Sequence, residues 1–216
     1  MLPELNYCES QGQIHSGEPL NVATSLVFFL MAGLLWRSTK GYPLARVMII
    51  ALVVLGAVIT NNHLFAPAYG AISLYIARLG FIVVLFYAIG RGILELPVSG
   101  AILLAVLALP AAWGMSALFE MIPGMSRSSV IYGPFALVFG MLALILRGHA
   151  PETSWRMAVA GLWLLLALPI RSLDLKYCGF FPHGTHFLWH ILIALEMGWL
   201  IHTYRRHMLA HRDVQG

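Results

Sequence analysis

Long runs of apolar residues, parted only by short polar breaks, recur along the whole of this chain. An α-helix needs about 20 such residues to cross the hydrocarbon core of a bilayer. On that criterion spans are expected near 19–36, 44–65, 71–90, 98–119, 129–147, 155–172 and 184–204. The breaks are turn-like: Lys40-Gly41-Tyr42-Pro43, Pro67-Ala68-Tyr69-Gly70, Ile122-Pro123-Gly124 and Gly148-His149-Ala150-Pro151. Pro110 and Pro169 fall inside spans, where neighbouring helices can satisfy the carbonyl that a proline frees. Only 10% of residues are charged and 60% are hydrophobic, against about a quarter charged in soluble domains. So little charge cannot cover a water-facing surface. The expected fold class is all-α, a seven-transmembrane helix bundle, with residues 1–216 as a single domain, since no linker is long enough to house a second one and no repeat of fixed period appears.

The net charge of +4 does not point to nucleic acid, because the basic residues sit in short loops, where they report topology. Arg37, Lys40, Arg46, Arg91, Arg147, Arg156, Arg205, Arg206 and Arg212 gather on one side. Arg127, Arg171 and Lys176 lie on the other, and Arg78 lies inside the third span. Nine against three places the N-terminus outside and the C-terminus in the cytoplasm. A bacterial plasma membrane is the expected location. The first residues carry Glu4, Glu9 and Glu18 but no Lys or Arg, so the first span is expected to be retained and not a cleaved signal. Cys8 and Cys178 then share the non-cytoplasmic side, where a disulfide between them is permitted; two unpaired small residues are the alternative.

Within Gly184-Thr185-His186-Phe187-Leu188-Trp189-His190, the two histidines are four apart. On a helix they share one face, a turn apart, as two ligands of one metal require. Ionisable residues within a span are functional candidates by default; the plain alternative is two histidines bonded to neighbouring helices. His63 lies at the same membrane end, and three histidines form the smallest open set for a catalytic zinc. The others are easier to set aside. His149, His202, His207 and His211 lie on the cytoplasmic side, His15 in the outer N-terminal segment and His183 in the loop beside the pair.

Arg171-Ser172-Leu173-Asp174, Cys178, and Phe181-Pro182-His183-Gly184-Thr185-His186 through His190 resemble the last-helix signature of the alkaline ceramidases. These belong to a seven-span superfamily of metal-dependent hydrolases that includes the progestin and adiponectin receptors. Tyr7-Cys8-Glu9 and Glu18-Pro19-Leu20-Asn21 resemble that family's opening. The resemblance implies zinc held by His63, His186 and His190, and a metal-activated water cleaving the amide bond of ceramide or a related N-acyl lipid. It also implies calcium at Glu9 and Glu18, with Gln11 where the family tends to have Asn.

Two positions depart from the family pattern. Its serine one turn before the first histidine is Ile59 here, and its aspartate on the third span is Leu74. Losing an oxyanion donor costs about 10²–10³ in turnover, and losing the base adds to that. Thr60 is the nearest substitute hydroxyl, with Asn61, Asn62 and Ser73 close by. Asp174 is the best remaining acid, either catalytic, or paired with Arg171, or orienting a ligand histidine. A Glu196–Arg78 pair is conceivable. The expected activity is thus a ceramidase-like hydrolase whose partners are a lipid substrate and the bilayer. The alternative is a metal-containing receptor-like or scaffolding relative without turnover. A transporter fits less well, because the polar groups crowd one end of the bundle.

Overall fold

A computed structural model describes residues 7–10 and 18–215, which leaves Gln11 and His15 outside. The described residues are helical, with no strand. Helices α1 (Pro19–Ser25) and α2 (Val27–Trp36) run on through Leu26 as one rod. They are followed by α3 (Pro43–Phe65), α4 (Gly70–Ala88) with a π-helical continuation over Ile89–Ile93, and α5 (Val98–Glu120). Next come α6 (Arg127–Val130), α7 (Gly133–Leu146), α8 (Pro151–Leu173) and α9 (His186–Gln215). Pro19, Pro43, Pro134 and Pro151 stand in the first turn of their helices, where the missing N–H costs nothing and the fixed φ favours the helix.

Five helical stretches are long and apolar enough to cross a membrane: Pro19–Trp36, Pro43–Phe65, Gly70–Ile93, Val98–Glu120 and Pro151–Lys176. The other two expected spans look different. The fifth is broken into α6 and α7, with Ile131 and Tyr132 in a turn between them. Pro134 lacks the N–H that would continue the helix, and its ring conflicts with the carbonyl of Val130. Only the 14 residues of Gly133–Leu146 remain as a short apolar helix. The last stretch runs 30 residues to Gln215 and carries His186, His190, Glu196 and His202, so it is long but polar-studded.

The helices close a ring. Each of α2, α3, α4, α5, α7 and α8 packs on the next, and α9 packs on α8, α1, α2 and α3. At the α2–α3 crossing Gly56 lets the backbones meet; a Cβ there would lie 2.7 Å from Phe28 Cβ. Phe28, Met48, Leu52, Phe81, Leu168 and Ile201 fill the centre. The exterior is apolar too, with Leu30, Leu34, Leu144 and Leu166 more than half exposed, while Asn21, Asn62, His63, Glu196 and Thr203 are buried. Polar groups inside and aliphatic groups outside suit a solvent of lipid. These are the properties of an integral membrane protein.

Candidate metal site

The N-terminal segment is drawn onto the start of α9 by two links. Cys8 and Cys178 form a disulfide across 170 residues of sequence. Beside it, buried Asp174 takes three backbone N–H bonds: Oδ1 accepts from Thr185 (2.7 Å) and His186 (2.9 Å), and Oδ2 from Cys8 (3.1 Å). Asp174 thereby caps the helix that carries the histidines. Gly184, at φ +64°, makes the turn, and a Cβ there would collide with Asp174 Oδ1 and Cys8 Cβ.

His63, His186 and His190 are brought together, all buried, each offering a ligand nitrogen within 4.8 Å of the others. Among the described residues no other group of three or more His, Cys, Asp and Glu could hold a metal ion. Their hydrogen bonds decide which nitrogens are available. His63 Nδ1 lies 2.5 Å from Glu18 Oε2, and His190 Nδ1 lies 3.1 Å from the Asn21 carbonyl. A carboxylate and a carbonyl only accept, so both Nδ1 atoms carry the proton, and in the neutral rings both Nε2 atoms present lone pairs. Those two Nε2 atoms face each other at 3.1 Å. Two acceptors at this distance are bridged by a metal ion or by a shared proton. Two imidazoles on one tetrahedral zinc, at about 2.0–2.1 Å each, stand about 3.3 Å apart, so the donor set fits a metal.

The third ring, His186, stacks on Tyr7 with centroids 3.9 Å apart. Its Nδ1 lies 3.4 Å from Arg171 Nη1. Burial raises the Tyr7 phenol above its ordinary value, which keeps it protonated as a donor. A cavity of about 40 Å³ runs along the rings, and Ile59 and Leu74 both lie on its wall. The two positions that depart from the family pattern therefore do face the histidines, with aliphatic side chains.

The other expected residues take different places. Thr60 turns away from the cavity, donating to the Gly56 carbonyl (2.8 Å) and meeting Ser25 Oγ at 2.7 Å. Asp174 is occupied as a cap and is not on the cavity wall. Neither Thr60 nor Asp174, the two residues expected to be catalytic, lines the histidine cavity. Arg171 lies over the Trp189 ring, 5.1 Å from its centroid, beside His186. Glu9 and Glu18, expected to share calcium, go to different partners. Glu9 accepts from the backbone N–H groups of Leu20 (2.7 Å) and Asn21 (2.9 Å), capping α1, and Glu18 holds His63 and Asn21 Nδ2. Ser73 donates to the Gly70 carbonyl.

Three residues of the cavity wall carried no assigned role in the sequence reading. Tyr7 arrives because its neighbour Cys8 is tied to Cys178 and to Asp174. Arg78 is an embedded cation that no sequence motif places. Tyr132 sits in the break between α6 and α7, which a continuous fifth span would hide. Asn62, named only as a polar neighbour, donates through Nδ2 to the Gly70 carbonyl (3.0 Å), and its Oδ1 has no hydrogen-bond partner among the described residues. A comparison of the chain with family models, curated proteins and solved structures found no match in any of the three.

Proposed function

We propose that this chain is a seven-span membrane hydrolase of the alkaline ceramidase type. In this reading zinc is held by His63, His186 and His190, and the amide bond of ceramide or a related N-acyl lipid is cleaved. The N-terminus lies outside, the C-terminus lies in the cytoplasm, and the short α7 and the polar-studded α9 complete the seven. The observation that carries the reading is the pair of Nε2 atoms at 3.1 Å, each on a ring fixed by a hydrogen bond at its Nδ1. Such outer partners are the usual means of orienting a metal-bound histidine.

When bound, zinc supplies a Lewis acid for the carbonyl and lowers the pKa of its water to about 7. The chain's own residues do the rest. Glu18 and the Asn21 carbonyl hold two imidazoles in the ligating tautomer. Tyr7 covers the face of His186 and keeps water from it. Asn62 offers its free Oδ1 to the substrate's amide N–H. The reaction breaks the C–N bond, adds the water oxygen to the acyl carbon, and leaves a fatty acid and an amine.

A second reading keeps the metal and the helices without the reaction. It is favoured by one observation: Ile59 and Leu74 line the cavity where the family has its serine and aspartate, and neither Thr60 nor Asp174 replaces them there. One experiment separates the two. Zinc is measured in the purified protein while labelled ceramide is followed in the same sample. One zinc per chain with fatty acid release, both lost in His186→Ala and His190→Ala, supports hydrolysis. Zinc without release from ceramide or other N-acyl lipids supports the second reading. Absence of zinc overturns both.

A further inference from the structure

Three cavities meet at two side chains, Arg78 and Tyr132. Arg78 on α4 lines the histidine cavity, a second cavity of about 370 Å³ between α4, α5 and α7, and a third of about 50 Å³. Tyr132 lines all three as well, its ring centroid 5.2 Å from the Arg78 guanidinium carbon. Among the described residues Arg78 makes no hydrogen bond and no ion pair. Glu196 lines the third cavity, and among the described residues no ion pair joins it to Arg78.

The second cavity is apolar. Leu79, Ile82, Leu109 and Phe135 form its wall, and Tyr75 and Trp113, both exposed on the outer surface, border it. Pro110, which lies inside α5 and lacks the N–H that would bond to the turn below, is on its wall. Its volume lies within the roughly 300–1,000 Å³ typical of ligand sites.

An arginine placed at the centre of a membrane helix costs about 2.5–3.5 kcal/mol on insertion scales. A cation–π contact returns about 0.5–2 kcal/mol of this. The remaining demand is for an anion. The histidine cavity and the third cavity are about 40 and 50 Å³. A planar carboxylate suits such spaces and matches the guanidinium fork. The wall of the histidine cavity holds a second guanidinium, Arg171, and no Asp or Glu.

We propose that Arg78 binds the carboxylate of a long-chain amphiphile whose aliphatic tail occupies the cavity between α4, α5 and α7. Beside the histidines such a carboxylate is either the acidic headgroup of an N-acyl amino acid substrate or the fatty acid released from an amide. That substrate assignment rests on the hydrolase reading; the binding itself does not.

The test uses the purified full chain in phosphatidylcholine nanodiscs, both zinc-loaded and stripped by chelator. Palmitate, N-palmitoylglycine and hexadecanol are titrated, with tryptophan fluorescence and thermal stabilisation as readouts. At least one of the two carboxylates should bind about ten- to a hundredfold more tightly than the alcohol. That preference should fall to near parity in Arg78→Gln, with zinc content retained as evidence of folding. Ile82→Trp, which fills the cavity and spares Arg78, should weaken all three probes. Tighter binding of N-palmitoylglycine than of palmitate assigns Arg78 to the substrate headgroup, and the reverse order assigns it to the product. Equal binding of the alcohol and both carboxylates, or a preference that survives in Arg78→Gln, overturns the proposal. An intact preference without amide turnover upholds this site and sinks the hydrolase reading alone.

Discussion

Replacing Glu18 by Gln tests whether the carboxylate serves the histidine cluster. Glu18 and His63 are both buried, at 8% and 6% exposure. Glu18 Oε2 lies 2.5 Å from His63 Nδ1 and 2.8 Å from Asn21 Nδ2. Glutamine keeps the shape and can still accept from Asn21, but it removes the charge that strengthens the His63 bond and raises the basicity of its far nitrogen. Losing such a partner typically costs 10–100-fold in metal affinity, or about 1.4–2.7 kcal/mol. The assay is competition for zinc between the purified protein and a chelator, with thermal unfolding measured alongside. Glu9→Gln is the control: it weakens the cap of α1 and should cost about 0.5–2 kcal/mol of stability while leaving zinc affinity unchanged. Wild-type zinc affinity in Glu18→Gln, or an equal loss in Glu9→Gln, would refute the role given to Glu18.

Asp174→Ala leaves three backbone N–H groups without their acceptor. At about 1–3 kcal/mol per unsatisfied buried donor, denaturant titration should show a loss of about 3 kcal/mol or more. Thr60→Val should lower stability by about 1 kcal/mol and leave zinc affinity and any turnover unchanged, because its hydroxyl serves Gly56 and Ser25. Ile59→Ser combined with Leu74→Asp puts polar groups back on the cavity wall, and amide turnover should rise by about 10² or more, measured as fatty acid release. Burial, aided by neighbouring His211, pushes His207 down to about 4 from 6.5. The neutral ring also bonds to Thr153 Oγ1 at 2.8 Å. Its stabilising contribution is therefore full above pH 6.5 and lost as pH falls toward 4. His207→Gln should flatten that limb of a thermal-unfolding profile recorded against pH.

Helices and their places along the chain were largely readable from hydrophobic runs, because a membrane span is a local property of about 20 consecutive residues. The two places where that reading departed from the structure have local causes as well. Pro134 breaks the fifth stretch, and the histidines and Glu196 lower the hydropathy of the last. The histidine trio was also readable. The four-residue spacing of His186 and His190 is a helical-face property, and the topology put His63 at the same end. The cysteines could be placed on one side of the membrane but could not be paired with certainty, since pairing depends on the path of the N-terminal segment.

The sequence by itself determined the all-helical apolar framework and which three histidines share an end, since both follow from periodicity and charge along the chain. Only the tertiary structure decided what surrounds them. Neighbouring residues on a helix point in different directions, so His63 and Ile59 face the cavity while Thr60, beside Ile59, turns toward Ser25. Asp174 was a plausible acid until three backbone N–H groups claimed it. Tyr7, Tyr132 and Arg78 come from three distant segments, and no spacing in the sequence relates them. Contacts between segments depend on how helices pack and where a disulfide ties the chain, and that information appears only once the bundle closes.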